Sequence, residues 1–326
     1  MKIGLTYDLR SEYRAQGFSE EDIAEFDQED TIIGLETAIQ GHGHETQRIG
    51  SARSLIKALG EGRRWDLVFN IAEGMWGSGR EALVPALLDA YQIPYVFSDP
   101  LVLCLSLDKA ACKRVVRDLG LNTPDFVVIR EQADIAAVDL PFPLFAKPLA
   151  EGTGKGVTAA SRITTREDLE TVCLGLLARY AQPVLVETFL PGREFTCGVV
   201  GNGAKAHSVG VMEVILNPEA DAQVYSYNNK ENCEELVHYV LRTDADAEAA
   251  QDLSLAVWRG LGCRDAGRVD VRLDAAGQAS FIEVNPLAGL HYAHSDLPIL
   301  SRLNGIPFHS LIGMILDAAL ERLDRL

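Results

Sequence analysis

Two short segments near the carboxyl end of the chain alternate polar and apolar residues. Residues 268–272 are Arg-Val-Asp-Val-Arg, and residues 281–285 are Phe-Ile-Glu-Val-Asn. Because successive side chains of a β-strand point to opposite faces, each segment predicts a strand with its polar side chains on one face. The apolar residues between them indicate packed strands, in which carboxylates need a cation nearby. Asp270, Glu283 and Asn285 therefore predict oxygen ligands for Mg²⁺; the alternative is the polar face of an exposed sheet.

A glycine-rich segment, Glu-Gly-Thr-Gly-Lys-Gly at 151–156, follows Lys147 and Pro148. Its glycines let backbone N–H groups approach an anion closely, and the hydroxyl of Thr153 adds a donor. The segment is not a Walker A loop, because no Ser or Thr follows Lys155, and it lacks the spacing of a dinucleotide-binding turn. By itself it favours an anion-binding loop no more strongly than a flexible hairpin that binds nothing.

A third polar segment, Glu-Thr-Phe-Leu-Pro-Gly-Arg-Glu, occupies residues 187–194. A strand that ends at Glu187 and is followed by a turn suits an adenosine site. The backbone at Phe189 and Leu190 is placed to read the adenine edge, while Glu194 binds the ribose hydroxyls. The alternative is an ordinary β-turn with solvated charges.

Three lysines, Lys109, Lys147 and Lys230, lie in separate predicted elements. Each taken alone is best explained as a solvated surface charge. Phosphoryl transfer, however, needs cations around the transferred group more than it needs covalent chemistry. Together with the oxygen ligands, the lysines predict a site for a nucleoside triphosphate.

The length and charge of the chain limit what it can bind. A chain of 326 residues is too long to fold around one small core, so we expect two or three packed domains. The net charge of −17 repels phosphate backbones and anionic lipid, which argues against nucleic acid and membranes as partners. No signal peptide and no apolar run of about 18 residues is evident. The six cysteines lack metal-binding spacing, so we expect buried thiols and a cytoplasmic protein.

Strand and helix signals alternate through the first third of the chain, which predicts a parallel sheet with crossover helices. The predicted strands are Lys2–Thr6, Trp65–Ile71, Pro94–Phe97, Phe126–Ile129, Leu144–Pro148 and Val184–Val186. The predicted helices are Thr31–Gln40, Glu81–Tyr91, one from Ser106 to near Gly120, Asp134–Val138, Arg166–Tyr180, Ala245–Leu261 and Phe308–Leu326.

Five motifs occur in a fixed order along the chain: DK from Asp108, KPLAEGTGKGV from Lys147, ETFLPGREF from Glu187, RVD from Arg268 and EVNPLAGL from Glu283. In this order they resemble the ATP-grasp ligases of the D-alanine–D-alanine ligase group over nearly the whole chain. The resemblance implies an α/β protein, with α+β character in its ATP-grasp part. It implies a Rossmann-like amino-terminal domain over residues 1–103, a lid subdomain over 104–186 and a catalytic subdomain over 187–326, with ATP between the last two.

The resemblance also implies a reaction and its residues. A substrate carboxylate attacks the γ-phosphate of ATP, and an amine then attacks the resulting acyl phosphate, as in ATP + 2 D-Ala = D-Ala-D-Ala + ADP + Pi. Two Mg²⁺ ions, with Mn²⁺ as a substitute, are held by Asp270, Glu283 and Asn285. The implied nucleotide ligands are Lys109, Lys147, Glu151, Gly154, Glu187, Phe189, Leu190, Glu194 and Lys230. The implied catalytic groups are Arg268 and Gly289, which stabilise the oxyanion, and Thr153 and Lys230 on the loops that close over the site.

The sequence departs from the family where the amino acids bind. Asp8 stands where a Gly-Gly-x-Ser-x-Glu turn is usual, Glu73 replaces a histidine, and Glu231 replaces an aromatic residue. His291 lies in a further altered stretch, while Ser295 matches the hydroxyl that binds the acceptor carboxylate. We expect Asp8 to substitute for the glutamate of that turn, which holds the donor's ammonium group. We expect Glu73, Glu231 and His291 to shape a pocket for an amino acid larger or more basic than D-alanine. Local packing explains His291 equally well.

Several functional interpretations remain open from the sequence. The leading one is a dipeptide ligase of cell-wall (peptidoglycan) synthesis, and the second keeps this mechanism with other amino acids or peptides. A third is a regulatory nucleotide-binding module without catalysis, against which the oxyanion arginine argues. A nicotinamide dehydrogenase lacks its fingerprint. ATP and amino-acid-like molecules are the expected ligands, and the resemblance suggests a homodimer.

Overall fold

The computed structural model of the protein describes residues 1–217 and 236–323. Lys230 and Glu231, for which the sequence predicts roles in nucleotide and substrate binding, lie outside the described residues. The described chain contains three β-sheets with helices packed against them. Among the described residues, no single helix is long and apolar enough to cross a bilayer. Two consecutive helices, Asp296–Leu303 and Phe308–Leu323, reach that length and apolar character only when taken together, and they are bent by 110° relative to each other.

The amino-terminal region alternates strands and helices. Its elements are β1 (Lys2–Thr6), α1 (Arg10–Arg14), α2 (Glu29–Gly41), β2 (Glu45–Gly50), α3 (Ala52–Gly60), β3 (Leu67–Asn70), α4 (Leu83–Ala90) and β4 (Tyr95–Val96). The four strands form a parallel sheet of order β2-β1-β3-β4, which confirms the predicted parallel arrangement. The sequence does not predict β2, because this edge strand is mostly polar and only partly buried.

The second sheet contains the glycine-rich segment at one end. Its elements are α5 (Pro100–Leu107), α6 (Lys109–Asp118), β5 (Phe126–Ile129), α7 (Gln132–Ile135), β6 (Leu144–Pro148), β7 (Arg162–Ile163), α8 (Arg166–Tyr180) and β8 (Val184–Thr188). The strands are antiparallel in the order β5-β8-β6-β7. A core of Leu144, Ala146 and Val186 against Leu169 and Cys173 joins this sheet to α8.

The third sheet carries the strands predicted to bind metal. Its elements are β9 (Glu194–Val200), β10 (His207–Leu216), β11 (Val237–Leu241), α9 (Ala245–Leu261), β12 (Ala266–Leu273), β13 (Ala279–Asn285), α10 (Asp296–Leu303) and α11 (Phe308–Leu323). The five strands are antiparallel in the order β11-β10-β9-β12-β13. Ile312 and Leu316 of α11 share a core with Ile3, Leu5 and Leu35, so the end of the chain packs against its beginning.

The single helix predicted from Ser106 to Gly120 is wrong, because Asp108 divides it into α5 and α6. The Asp108 carboxylate accepts a hydrogen bond from the backbone N–H of Ala111 at 2.8 Å, and its own backbone is extended. An aspartate that caps a new helix in this way competes with continuation of the preceding one.

Helix α6 lies between the second and third sheets. Its Cys112 and Val116 pack in one core with Trp258 and Phe281, whereas Ala110 packs with Leu185 of β8. This position directs Lys109 and Lys113 of the same helix towards the space between the two sheets. The domain boundaries at residues 103 and 186 remain predictions.

Candidate active site

Two cavities meet in the space between the three sheets. The first, of about 850 Å³, is lined from the second sheet by Lys147 and Glu187 and from the third by Glu194, Asp270 and Glu283. The second, of about 680 Å³, lies on the side of the amino-terminal region. The cavities share three lining residues: Lys109, Glu151 and Glu283. The two cavities therefore adjoin at these residues.

Glu187 forms a buried ion-pair network at the inner wall of the first cavity. One carboxylate oxygen lies 2.9 Å from Lys113 Nζ, and the other lies 3.1 Å from Lys147 Nζ. Burial acts to raise the pKa of Glu187, but the two ammonium groups hold it below its ordinary value. Burial lowers the pKa of Lys113 to about 8, although Glu187 opposes this. Glu187 therefore helps to orient Lys147, which lines the cavity. Lys113, which has no role among the sequence predictions, pairs with the same carboxylate.

The predicted metal ligands lie together on β12 and β13. Asp270 pairs in register with Glu283, and Arg268 pairs with Asn285. Asp270 accepts a hydrogen bond from Thr196 Oγ1 at 2.9 Å, and its other oxygen contacts the guanidinium of Arg268 and the amide of Asn285 at 3.4 Å. Lys109 Nζ lies 3.6 Å from Glu283.

This set suits a hard divalent cation. Two largely buried carboxylates and an amide oxygen at the junction of the cavities are the donors that Mg²⁺ prefers, and here Arg268 and Lys109 neutralise the carboxylates. Among residues 1–217 and 236–323 no cluster of three or more His, Cys, Asp or Glu is arranged to hold a metal ion. The candidate set thus depends on Asn285 and on oxygen atoms of a bound phosphate.

The glycine-rich loop lies over the junction of the cavities. Lys109 Nζ donates to the carbonyl of Glu151 at 2.5 Å, and Lys155 pairs with the Glu151 carboxylate at 2.8 Å. Thr153 has a positive φ of 50°, and its buried hydroxyl has no hydrogen-bond partner among the described residues. Gly154 also has a positive φ of 72°. Within the loop, the N–H groups of Lys155 and Val157 donate to the carbonyls of Gly152 and Gly154, both at 2.9 Å. Anion binding by the loop therefore stays a prediction.

The far end of the first cavity is built around Phe189. Its ring lies between the guanidinium groups of Arg162 and Arg272, at 5.1 and 5.2 Å from the ring centre. Its backbone N–H donates to the carbonyl of Pro143 at 3.1 Å and is therefore already engaged within the protein. Arg272 also pairs with Glu194 at 3.3 Å, which places that carboxylate at the cavity wall.

The second cavity is strongly acidic. Glu25, Glu73 and Glu81 line it together with Arg268 and Gly289. Burial raises the pKa of Glu73 well above its ordinary value, and the carboxylates of Glu81 and Glu25 raise it further. Burial likewise raises the pKa of Glu81 to about 7, although Arg80 opposes the shift. The cavity therefore favours a group that brings positive charge.

Among the described residues, the other predicted substrate residues, Asp8, His291 and Ser295, do not line this cavity. Asp8 is almost fully buried, and it accepts hydrogen bonds from Tyr13 Oη at 2.7 Å and from the N–H of Gly74 at 2.9 Å. His291 contacts Asp30 at 3.1 Å, and its other ring nitrogen accepts from backbone N–H groups. Ser295 begins α10 and accepts from the N–H of His291 at 3.0 Å. These contacts make Asp8 and His291 structural in this conformation.

Sequence reasoning missed Glu25, Arg80 and Glu81, which all lie at or beside the second cavity. Glu25 belongs to an acidic stretch, residues 20–30, that is typical of a solvated surface. Arg80 and Glu81 follow a glycine-rich turn in residues 74–79. This turn comes directly after Glu73, where the sequence departs from the family. That turn was the one available signal for them.

A nucleotide-sized cleft between two antiparallel sheets, closed by a glycine-rich loop and rimmed by lysines and oxygen ligands, defines a protein of the ATP-grasp class. This confirms the predicted fold. The family described as "D-ala D-ala ligase C-terminus" matches residues 115–317. The chain belongs to the D-alanine–D-alanine ligase family, as its motifs predicted.

Relatives and solved structures agree with this assignment. The chain is 33% identical over 290 residues, 87% of either protein, to a D-alanine–D-alanine ligase of Xanthomonas axonopodis pv. citri. It is 32% identical, over 87% of its length and 86% of the relative's, to an uncharacterized protein of Sinorhizobium fredii. The structure of a D-alanine–D-alanine ligase from Bacillus anthracis complexed with ATP has a TM-score of 0.73 at 21% identity, covering 100% of this chain and 99% of that one. The D-Ala:D-Ser ligase VanG from Enterococcus faecalis has the same TM-score at 20% identity, covering 98% and 99%. These two likenesses concern the fold.

Proposed function

We propose that this protein is an ATP- and Mg²⁺-dependent ligase that joins the carboxylate of one amino acid to the amine of another through an acyl phosphate. The observation that carries the proposal is the junction of the two cavities at Lys109, Glu151 and Glu283. A triphosphate in the first cavity and a carboxylate in the second meet there. Relatives named D-alanine–D-alanine ligases support D-alanine as the substrate and peptidoglycan synthesis as the pathway.

The first cavity binds and orients the nucleotide. Lys109 and Lys147 contact its phosphates, while Glu194 and the backbone around Phe189 hold the adenosine. Asp270, Glu283 and Asn285 hold Mg²⁺, which supplies positive charge to the phosphate oxygens during transfer. Arg268 and Lys109, which pair with these carboxylates in the present arrangement, then become free to turn towards the substrates.

The second cavity holds the reacting amino acids. A substrate carboxylate oxygen attacks the γ-phosphorus, ADP leaves, and an amine then attacks the acyl carbon. Arg268 and the backbone N–H of Gly289 line this cavity and stabilise the oxyanion that forms in the second step. Ser295 Oγ lies 2.8 Å from where a Cβ on Gly289 would be, so the predicted acceptor hydroxyl adjoins the same place. Because the reaction consumes ATP, we place it in the cytoplasm.

A second candidate keeps this mechanism but changes the amino acid. The specific observation is that Asp8 is engaged by Tyr13 and Gly74, while Glu73 and Glu81 line the cavity. Two carboxylates with raised pKa values bind a cation and release protons in doing so. This favours an amino acid with a second ammonium group over D-alanine in one of the two positions.

ADP release by the purified protein with ATP and Mg²⁺ tests both candidates. The panel contains D-alanine, D-serine, D- and L-lysine and D- and L-ornithine, with mass spectrometry of the products. Stimulation by D-alanine with a D-Ala–D-Ala product supports the cell-wall reaction, and stimulation by a diamino acid supports the second candidate. ATP binding without stimulation by any member contradicts both.

A further inference from the structure

The amino-terminal region holds the glycine-rich loop through two charged side chains. Glu25 accepts a hydrogen bond from the backbone N–H of Gly152 at 2.5 Å. Arg80 donates to the carbonyl of Ala150 at 3.0 Å and pairs with the other oxygen of Glu25 at 2.9 Å. The two side chains therefore contact the loop on either side of Glu151.

The two charged side chains of this contact are largely buried. The side chains of Arg80 and Glu25 are 9% and 11% exposed, so each charge depends on the other for compensation. Burial acts to raise the pKa of Glu25, but Arg80 holds it below its ordinary value, so the carboxylate stays ionised. A Cβ on Gly152 would lie 2.7 Å from Glu25 Oε1, so a side chain at this position would displace the Glu25 carboxylate.

A second contact of the same segment reaches helix α8. Glu21 accepts from Tyr180 Oη at 2.6 Å and from Arg179 at 2.5 Å. The Arg179 side chain is 64% exposed, and ion pairs so exposed add little to stability. The pair of Glu25 and Arg80 is therefore the more buried of the two contacts that the amino-terminal region makes, while Lys109 and Gln182 hold Glu151 from outside that region.

This contact lies at the cavity in which the reaction is proposed to occur. Glu25 lines the second cavity together with Gly152 and Thr153, at the boundary with the nucleotide cavity. We propose that Glu25 and Arg80 are positioning residues that hold the glycine-rich loop closed over the junction of the cavities and keep water from the acyl phosphate. The proposal rests on the proposed ligase function and assigns to Glu25 and Arg80 a role in holding the loop, in addition to the position of Glu25 on the wall of the second cavity.

Loss of the contact has a defined chemical result. If water enters, its oxygen bonds to the acyl carbon, the bond from that carbon to the phosphate oxygen breaks, and phosphate leaves while a proton passes to the solvent. The amino acid is regenerated and ATP is spent without product. The measurable sign is an ADP yield that exceeds the yield of amide bonds.

The experiment compares ADP and amide product in the same reaction for five proteins. Wild type and the control Glu36→Gln should give one ADP for each amide bond. Glu36 pairs with Arg48 at 2.7 Å on the amino-terminal region, away from the cavities. Glu25→Ala and Arg80→Met should lower amide formation by about 10- to 100-fold while ADP release falls less, because small displacements of a closing loop are costly. Glu25→Gln, which retains an oxygen acceptor for Gly152, should be intermediate. A ratio that stays at one in Glu25→Ala and Arg80→Met overturns the proposal.

Hydrogen exchange separates the failure of this proposal from failure of the ligase function. With ATP and Mg²⁺ alone, backbone amides of residues 150–157 should exchange faster in Glu25→Ala than in wild type or Glu36→Gln, and the increase should be larger there than for the amides of β9 in the third sheet. Unchanged exchange in the loop overturns the contact's role, whatever the substrates are. Faster exchange in a protein that forms no amide supports the role and leaves only the ligase function refuted.

Discussion

Asp270 and Glu283 face each other across the antiparallel strands β12 and β13, as register partners, and both line the nucleotide cavity. Their pairing brings two carboxylates to one face of a packed sheet, where repulsion between them must be offset by cations. Arg268 and Lys109 supply that charge in the described arrangement, and Mg²⁺ is expected to supply it during the reaction.

Glu283→Gln should raise the Mg²⁺ concentration needed for half-maximal activity, because an amide oxygen binds a hard divalent cation more weakly than a carboxylate does. ADP release titrated with Mg²⁺ measures this. Glu194→Gln, at the adenosine end of the same sheet, should instead raise the KM for ATP at an unchanged Mg²⁺ requirement. An identical Mg²⁺ titration in Glu283→Gln and wild type removes Glu283 from the metal site.

Arg268→Ala should lower kcat by about 10²–10³-fold, the usual cost of removing one oxyanion donor, and leave ATP binding intact. Single-turnover kinetics and nucleotide titration measure the two quantities separately. Arg268→Lys should recover part of the loss, because it keeps the charge without the planar guanidinium. A parallel loss of ATP affinity would show that Arg268 acts on the nucleotide cavity instead.

Glu187→Gln should destabilise the protein by about 3–5 kcal/mol, because it leaves the ammonium groups of Lys113 and Lys147 buried without their carboxylate. Denaturant unfolding measures the change. Glu36→Gln breaks a more exposed pair with Arg48 and should cost about 1 kcal/mol or less. Equal costs for the two variants contradict the account of Glu187 as the centre of a buried network.

Glu81 should make stability fall with rising pH. Burial raises its pKa from 4.5 to about 7, so between these values the folded protein retains a proton that the unfolded chain has released. The contribution of this group to stability is full below about pH 4.5 and is lost as the pH rises through 7. The free energy of unfolding of wild type, minus that of Glu81→Gln, should therefore decrease over this window. A difference that is flat or increasing contradicts the shifted pKa.

The sequence predicts strands β12 and β13 well because their pattern is local. Their pairing brings Asp270 and Glu283 together as predicted, but the register shifts between Asp270 and Val271, and Ile282 lines the same cavity as Glu283, which strict alternation does not predict. The glycine-rich loop and Lys147 are predicted for the same reason, because they lie close together in one short segment whose residue types and spacing indicate the site.

The contribution of Glu25 to the second cavity could not be predicted in this way. Glu25 and Gly152 are 127 positions apart, and no local pattern joins them. Lys113 has the periodicity of an ordinary helix, and only the packing of α6 between two sheets shows that it is buried. The position of Asp8 after β1 predicts that it binds substrate. In the folded protein its carboxylate instead accepts hydrogen bonds from Tyr13 and Gly74.

The most direct test of the central claim follows the oxygen atoms of the substrate. The amino acid that best stimulates ADP release is labelled with ¹⁸O in its carboxylate, and the phosphate produced is analysed by mass spectrometry. Activation through an acyl phosphate transfers one labelled oxygen to phosphate for each amide bond formed, because the carboxylate oxygen that attacks the γ-phosphorus leaves with it. Unlabelled phosphate beside a labelled amide product would contradict the account.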